Sequence, residues 1–301
     1  MQDTPGRGTE PAADSLSSSR GCLYIVATPI GNLSDLSDRA RQTLTDVDLI
    51  AAEDTRRTQT LLAHLGLHRP LQSCHEHNER EKSSQLVEAL ASGKSVALVT
   101  DAGVPVISDP GSHLVATAWE RGFRVIPIPG PSAVLSALSV SGFNSDRFFF
   151  AGYAPRKSTE RRRFYRENAA APFPVVVYEV PHRLRQSLED AAAELGDDRL
   201  VCMAREMTKQ FEEVRRESLG ELRQHCATVE PLGEYTLVFG PSQIPVEEAT
   251  PTVGDLQQAA RLALEAGLRT GQAADLLAAA SGVSRKQAYS LLLRLRDSLE
   301  R

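Results

Sequence analysis

From Leu23 to Phe239 the chain alternates short apolar runs with longer amphipathic stretches. Leu23–Ala27 (LYIVA) and Ser95–Thr100 (SVALVT) are apolar without a two-residue polar alternation, the pattern of strands buried on both faces. The same pattern predicts strands at Leu49–Glu53 and Phe123–Ile128 and, more weakly, at Pro70–His75. Helical spacing fills the gaps. One helix starts after Ser37, one covers Thr55–Leu65 and closes at Gly66, and one covers Glu79–Ala91 and closes at Ser92-Gly93. Another runs to Trp119, and PGPSA opens a fifth. Strands alternating with helices predict an α/β domain with a mainly parallel sheet over residues 22–142. Ser139–Ser145 (SVSGFNS) reads as a linker. A second α/β domain is expected over 146–242. Its strands are Phe148–Gly152, Val175–Glu179, Leu200–Arg205 and Tyr235–Phe239, with helices around Thr159–Asn168, His182–Leu195 and Leu219–Ala227.

The flanks differ from this body. Residues 1–21 are rich in Pro, Gly, Ser and Thr and carry almost no large apolar groups, so they are expected to be a disordered tail. Gln243–Thr252, with two prolines, reads as a second linker. Over 253–301 Ala and Leu recur with helical period and no strand signal. Helices are expected at Val253–Ala266, Thr270–Ala280 and Ser284–Glu300, with Ser284 and Gln287 as a capping box. The arrangement is helix-turn-helix-like, and a plain three-helix appendage fits the pattern equally well.

Charge and cysteine usage narrow the classes. Thirty-four basic against 39 acidic residues give a net charge of −5, so no basic coat is present and any nucleic-acid contact must be local. Cys22, Cys74, Cys202 and Cys226 show no CxxC spacing, which argues against a thiolate metal centre and a disulfide scaffold and for a cytoplasmic protein with free thiols. No apolar run reaches the roughly 20 residues of a membrane helix.

Three loops carry the candidate chemistry. TPIGNLSD follows the first expected strand, TDAGVPVISDPG the fourth, and IPGPSA the fifth. Each places Gly and Pro directly at a strand's carboxyl end, where ligands sit in parallel α/β sheets. There is no GxGxxG, no GxxxxGK[ST] and no GxSxG, so neither a dinucleotide fingerprint nor a P-loop nor a nucleophile elbow is supported. HEHNE (His75–Glu79) lacks a further ligand cluster, and no metal is expected.

TPIGNLSD, AAEDTR, HEHNE, LVTDAGVPVISDPG, PIPGPSA and AREMTKQFEE occur in this order between Leu23 and Gly240. Together they closely resemble the small-subunit ribosomal RNA (cytidine-2′-O)-methyltransferases, within the tetrapyrrole methylase superfamily. The resemblance implies two α/β domains of the tetrapyrrole methylase type with S-adenosyl-L-methionine between them, a small C-terminal helical appendage, a homodimer, and the small ribosomal subunit as partner. It implies methylation of a cytidine ribose in the decoding region. Donor-binding positions carried over from relatives are Pro29, Asp101, Ala102, Gly103, Val104 or Ile107, Ser132 and Ala133, with Tyr178 and Glu206 from the second domain. The TDAG run stands where tetrapyrrole enzymes carry Gly-Gly-Asp-Pro, so register there is loose. A methylase of a tetrapyrrole or of an elongation factor, or a non-catalytic ribosome-binding protein, are the alternatives.

Methyl transfer to a ribose hydroxyl calls for alignment and for a base or a local positive charge. Candidates are Glu53, Asp54, Arg56, His77, Glu79 and Lys209, with no choice among them from sequence; for Glu53 and Asp54, helix capping is an equal alternative. For RNA contact, Arg156, Lys157, Arg161, Arg162, Arg163 and Arg166 stand against only Glu160 and Glu167 within 151–170. The terminal 285–301 stretch is also basic.

Overall fold

The computed structural model describes residues 21–242, 253–281 and 283–299. The tail and the second linker expected from sequence fall outside these, apart from Gly21. Five strands form the first sheet: β1 (Cys22–Val26), β2 (Leu49–Ala52), β3 (Leu71–Ser73), β4 (Val96–Val99) and β5 (Arg124–Ile128). They lie in the order β3-β2-β4-β1-β5, and every pairing is parallel. Alternate residues of these short strands feed two cores. Leu23, Ala51, Val96 and Leu98 meet Leu86, Val87 and Leu90 of α3 (Glu79–Ala91) and Leu114 and Ala118 of α4 (Ser112–Glu120). Val26, Ile50, Ala97 and Val99 meet Ala40 and Leu44 of α1 (Asp38–Asp46) and Leu62 of α2 (Thr55–His64). Burial on both faces is why the runs lack polar alternation. The caps are local: Ser37 Oγ accepts from Ala40 N, and Asp54 Oδ1 accepts from Arg56 N at 2.8 Å.

The second sheet holds β6 (Phe149–Tyr153), β7 (Val175–Glu179), β8 (Leu200–Arg205), β9 (Glu213–Ser218) and β10 (Tyr235–Phe239) in the order β6-β7-β10-β8-β9. Only β6 and β7 run parallel; the other pairings are antiparallel. Helices α6 (Ser158–Glu167), α7 (Pro181–Leu195) and α8 (Leu219–Thr228) cover one face through Tyr165, Leu184, Leu188, Leu219 and Leu222. The opposite face is covered by α5 (Ala133–Ser141), which follows β5 in sequence but packs Val134, Ala137 and Leu138 on Val176, Cys202, Ala204 and Val238.

Two expectations need correction. The apolar pattern does not predict strand β9 (EVRRES), because it is an edge strand of alternating half-buried and exposed positions with no apolar run. Its Glu213, Arg215 and Glu217 pair along one face, a charged edge of the kind that resists strand addition. The linker expected from Ser139 begins later: α5 continues to Ser141, which is fully buried one helical repeat after Val134, and Gly142 ends it at φ +67°.

These two sheets form one compact unit, and the C-terminal helices form a second. The latter are α9 (Val253–Glu265), α10 (Thr270–Ser281) and α11 (Arg285–Leu299), which bury Ala260, Ala273, Ala274, Leu277, Ala288 and Leu292 among themselves. Ser284 N donates to Gln287 Oε1 at 3.0 Å and Gln287 N to Ser284 Oγ at 3.3 Å, closing the expected capping box. No helix among the described residues is long and apolar enough to cross a membrane.

Candidate functional site

Because β4, β1 and β5 are neighbours, their three Gly- and Pro-rich loops leave the sheet side by side. Thr28 and Gly103 exchange backbone hydrogen bonds of 2.8 and 3.1 Å, and Thr28 Oγ1 donates to Thr100 O at 3.1 Å. This couples the first loop to the second. Gly103 sits at φ +85°. The loop after β8 arrives from the other sheet. A Cβ on Gly31 would lie 2.4 Å from Lys209 Cγ, 2.8 Å from Thr208 Oγ1 and 3.1 Å from Met207 O, so the two loops touch where only glycine fits. Among the described residues the non-glycine left-handed positions are Val106 and Ser108 in the loop after β4 and Glu206 and Thr208 in the loop after β8. Such conformations cost about 1–3 kcal/mol each and persist where the surroundings over-determine them, as at binding sites.

The loops enclose a cleft of about 310 Å³. Asp101, Ala102, Gly103, Val104, Ile107, Ser132, Ala133, Tyr178 and Glu206 line it together, from four separate segments. Pro29 does not: it is buried, and its neighbour Ile30 takes that place on the wall. Glu179, beside Tyr178, lines the cleft as well, and so do Arg57, Asp109, Tyr153 and Glu234, which sequence reasoning passed over. The SDPG turn offered a signal for Asp109, since an Asp before Pro-Gly in a strand-end loop is held by a stiff backbone.

The interior is acidic. Glu53 Oε2 accepts from Thr100 Oγ1 at 2.6 Å and from Asp101 N at 3.3 Å. Asp101 Oδ1 accepts from Asp54 N at 3.2 Å, and Asp101 Oδ2 lies 3.4 Å from Arg57. Burial, then the Glu53 charge, push the Asp101 carboxyl up, with Arg57 opposing. Asp109 is pushed up to about 6, chiefly by burial and further by Glu53 and Asp101, against a hydrogen bond from Thr100. Burial also carries the Tyr178 phenol to about 12. Glu179 pairs with Arg183 at 2.9 Å through Oε1, while Oε2 is buried with no hydrogen-bond partner. A cleft with three crowded carboxyls, an open buried acceptor and two tyrosines suits a cationic ligand bearing hydroxyl or amino donors.

The other candidates separate. Asp54 caps α2 and pairs with Arg56 at 2.7 Å, and neither residue lines the cleft. His77 and Glu79 line a different depression with Arg80 and His113. There Glu79 Oε1 accepts from Gly111 N at 3.0 Å and His113 N at 2.7 Å, holding the SDPG turn against the start of α4. Lys209 does line the cleft. Burial works against its charge, but Glu206 and Glu234, at 2.8 and 3.0 Å, outweigh this and hold the ammonium above the usual lysine range. It therefore supplies charge and not a base. The basic segment is corrected most at Arg161, which is buried and ion-paired with Asp190 of α7. Arg162 and Arg166 pair with Glu194, Arg163 with Glu167, and Lys157 with Glu160 at 3.3 Å. Arg156 and Lys157 are exposed. No group of metal-ligating side chains is present among the described residues.

Residues 22–223 match the family model of tetrapyrrole (corrin/porphyrin) methylases. The chain is 50% identical over 208 residues, 69% of its own length and 73% of the relative's, to a protein of Escherichia coli O157:H7 named ribosomal RNA small subunit methyltransferase I. It is 42% identical over 278 residues, 92% and 98% of the two chains, to the protein of that name in Pseudomonas aeruginosa. Among solved structures, a diphthine synthase (TM-score 0.57, 18% identity, covering 73% of this chain and 90% of that one) and a uroporphyrin III C-methyltransferase from Thermus thermophilus (TM-score 0.52, 18%, covering 73% and 97%) share the fold. On the matched motifs, the two-sheet fold and these relatives, the chain belongs to the tetrapyrrole methylase family and, within it, to the ribosomal RNA small subunit methyltransferase I group.

Proposed function

We propose that the chain transfers a methyl group from S-adenosyl-L-methionine to the 2′-hydroxyl of a cytidine in the decoding region of small-subunit ribosomal RNA, in the cytoplasm and as a homodimer. The observation that carries this reading is the convergence of three neighbouring strand-end loops and the β8 loop on one acidic cleft. The relatives' shared name supplies the substrate class. S-adenosylmethionine supplies the methyl group as a sulfonium. Its charge and its amino and hydroxyl donors fit Asp101 and the acidic lining around it, while the Tyr178 ring gives an apolar wall.

The ribose proton needs an acceptor inside the cleft. Thr100 Oγ1 donates to Glu53, and the neighbouring Asp109 carboxyl is pushed up to about 6. A carboxylate of that affinity takes up a proton effectively at working pH. Of the earlier candidates, Glu53 therefore stays at the site with Asp109 beside it, whereas Asp54 and Arg56 form a cap and a pair, Glu79 supports a loop, and His77 lies in the separate depression. Calorimetry with S-adenosylmethionine tests the donor site. Incubation with undermethylated small subunits and labelled donor, followed by mapping of ribose methylation, tests the reaction. Methyl groups on bases, or none on the RNA, would overturn it. Light scattering reads the dimer.

A further inference from the structure

Strand β6 carries an irregularity beside the cleft. Phe149 and Phe150 pair with Val175 and Val176, but the next partner of Tyr178 is Tyr153, so β6 has one residue more than β7 across this step. Gly152 absorbs it at φ +70°. Side chains alternate along a strand, so one extra residue turns the following side chain to the opposite face. Phe150 and Tyr153 thus share a face, and both rings stand edge-on to Tyr178, at 5.0 and 5.4 Å between centroids. Phe150 and Tyr178 are inner members of this array. Tyr153 is its outer member, 55% exposed while still lining the cleft. Three and four residues on, exposed Arg156 and Lys157 precede α6.

We propose that Tyr153 is the platform on which the target nucleobase, swung out of its RNA strand, stacks while its ribose enters the cleft. This rests on the reading of the chain as an RNA ribose methyltransferase. A bulge that re-aims an aromatic ring to a half-exposed position at a cleft mouth gives a flat face held at its edge by a second ring. Every base presents a π-face to such a ring, and loss of one stacking partner weakens single-strand binding about 10- to 100-fold. Single-stranded ribose is reached by unstacking of this kind. Arg156 and Lys157 are placed to meet the flanking phosphates.

The full chain is compared with Tyr153→Ala, Tyr153→Phe and Tyr153→Trp. Affinity for S-adenosylmethionine is measured by calorimetry, and kinetics are measured on undermethylated small subunits. Tyr153→Ala should raise KM for subunits about 10- to 100-fold with donor affinity within about twofold, and the aromatic variants should stay within about threefold of the parent. A second readout does not depend on catalysis. The chain has one tryptophan, Trp119, so in a Trp119→Phe background the Tyr153→Trp indole is the sole tryptophan reporter, and oligocytidylate should quench it. An unchanged KM in Tyr153→Ala together with no quenching overturns the platform while leaving the methyltransferase reading intact. Weakened donor affinity in Tyr153→Ala assigns the ring to the donor and overturns it as well. If the parent chain methylates no subunit, the functional reading itself fails.

Discussion

Replacing Arg161 with Ala should destabilise the α/β unit far more than replacing either of its basic neighbours. The guanidinium donates through Nε to Asp190 Oδ2 at 2.9 Å and again through Nη2, and through Nη1 to Pro155 O and Arg156 O at 3.0 and 3.1 Å. Both partners are buried, with side chains 3% and 7% exposed. Removing Arg161 leaves the Asp190 charge in the interior with only Ser158 Oγ and Gln186 as side-chain donors, and strands two carbonyls. Breaking a buried pair from one side costs about 3–5 kcal/mol. At about 2–4 °C per kcal/mol for a unit of this size, the unfolding midpoint should fall by about 10 °C. Arg163, exposed and paired only with Glu167, is the control and should shift it by less than about 1 °C. Thermal unfolding followed by circular dichroism decides the matter. A second variant, Arg161→Met with Asp190→Leu, removes both charges and should recover much of the loss, because the penalty lies in the orphaned carboxylate. A fall of under about 2 °C in Arg161→Ala, or no recovery in the double variant, would refute the argument.

The remaining predictions concern the cleft and the C-terminal helices. Asp109 titrates at about 6 in the folded chain against an ordinary 3.8, so the folded state keeps a proton that the unfolded state has released. Its contribution to stability therefore falls as pH rises from about 4 to about 6, and urea midpoints of Asp109→Asn should lose less over that window than the parent's. Gly103→Val should weaken donor binding through backbone strain and not through collision, since a Cβ there meets nothing nearer than Ile30 Cγ2 at 3.6 Å; calorimetry showing unchanged affinity would count against it. Gly31→Val, whose Cβ would press on Thr208 and Lys209, should cost donor affinity as well, and Asp101→Ala should do the same. Truncation after Ser242 should leave a donor-binding core with an unfolding midpoint within about 2 °C, because each unit buries its own apolar core, and should reduce methylation of subunits; unaltered activity on subunits would exclude those helices from substrate recognition.

What was legible in the sequence was what local physics determines. Apolar runs such as VALV of β4 report burial on both faces, Ser37 and the Ser284–Gln287 box report helix starts, and Gly and Pro at strand ends mark the loops. What escaped depends on partners distant in sequence. The segment around Arg161 looks like a basic surface until Asp190 and Glu194 of α7 are brought against it. Glu79 looks like a free acid until its carboxylate meets the amides of Gly111 and His113. The destination of α5 was hidden for the same reason: its apolar stripe shows that something covers it, not which sheet does. Strand β9 escaped because charge pairing, and not apolar burial, organises its half-buried face.

The distribution of charge explains how an acidic chain can work on RNA. Glu53, Asp101 and Asp109 crowd the cleft, which attracts a cationic donor and repels phosphate. Under the ribose methylation proposed above, the uncharged ribose with its hydroxyl enters such a cleft while the phosphates stay at the rim. Among the basic side chains that follow Tyr153 in sequence few are free, because most of those of α6 are paired. Few phosphate contacts mean a shallow dependence of subunit binding on salt, roughly one unit of log–log slope or a little less for each contact. Arg156→Ala with Lys157→Ala should therefore lower that slope by about one to two and weaken subunit binding, while donor affinity stays unchanged. The test is KM for subunits measured across a salt series with the parent and the double variant. A slope that the double variant does not alter would place the phosphate contacts elsewhere and remove α6 from the RNA path.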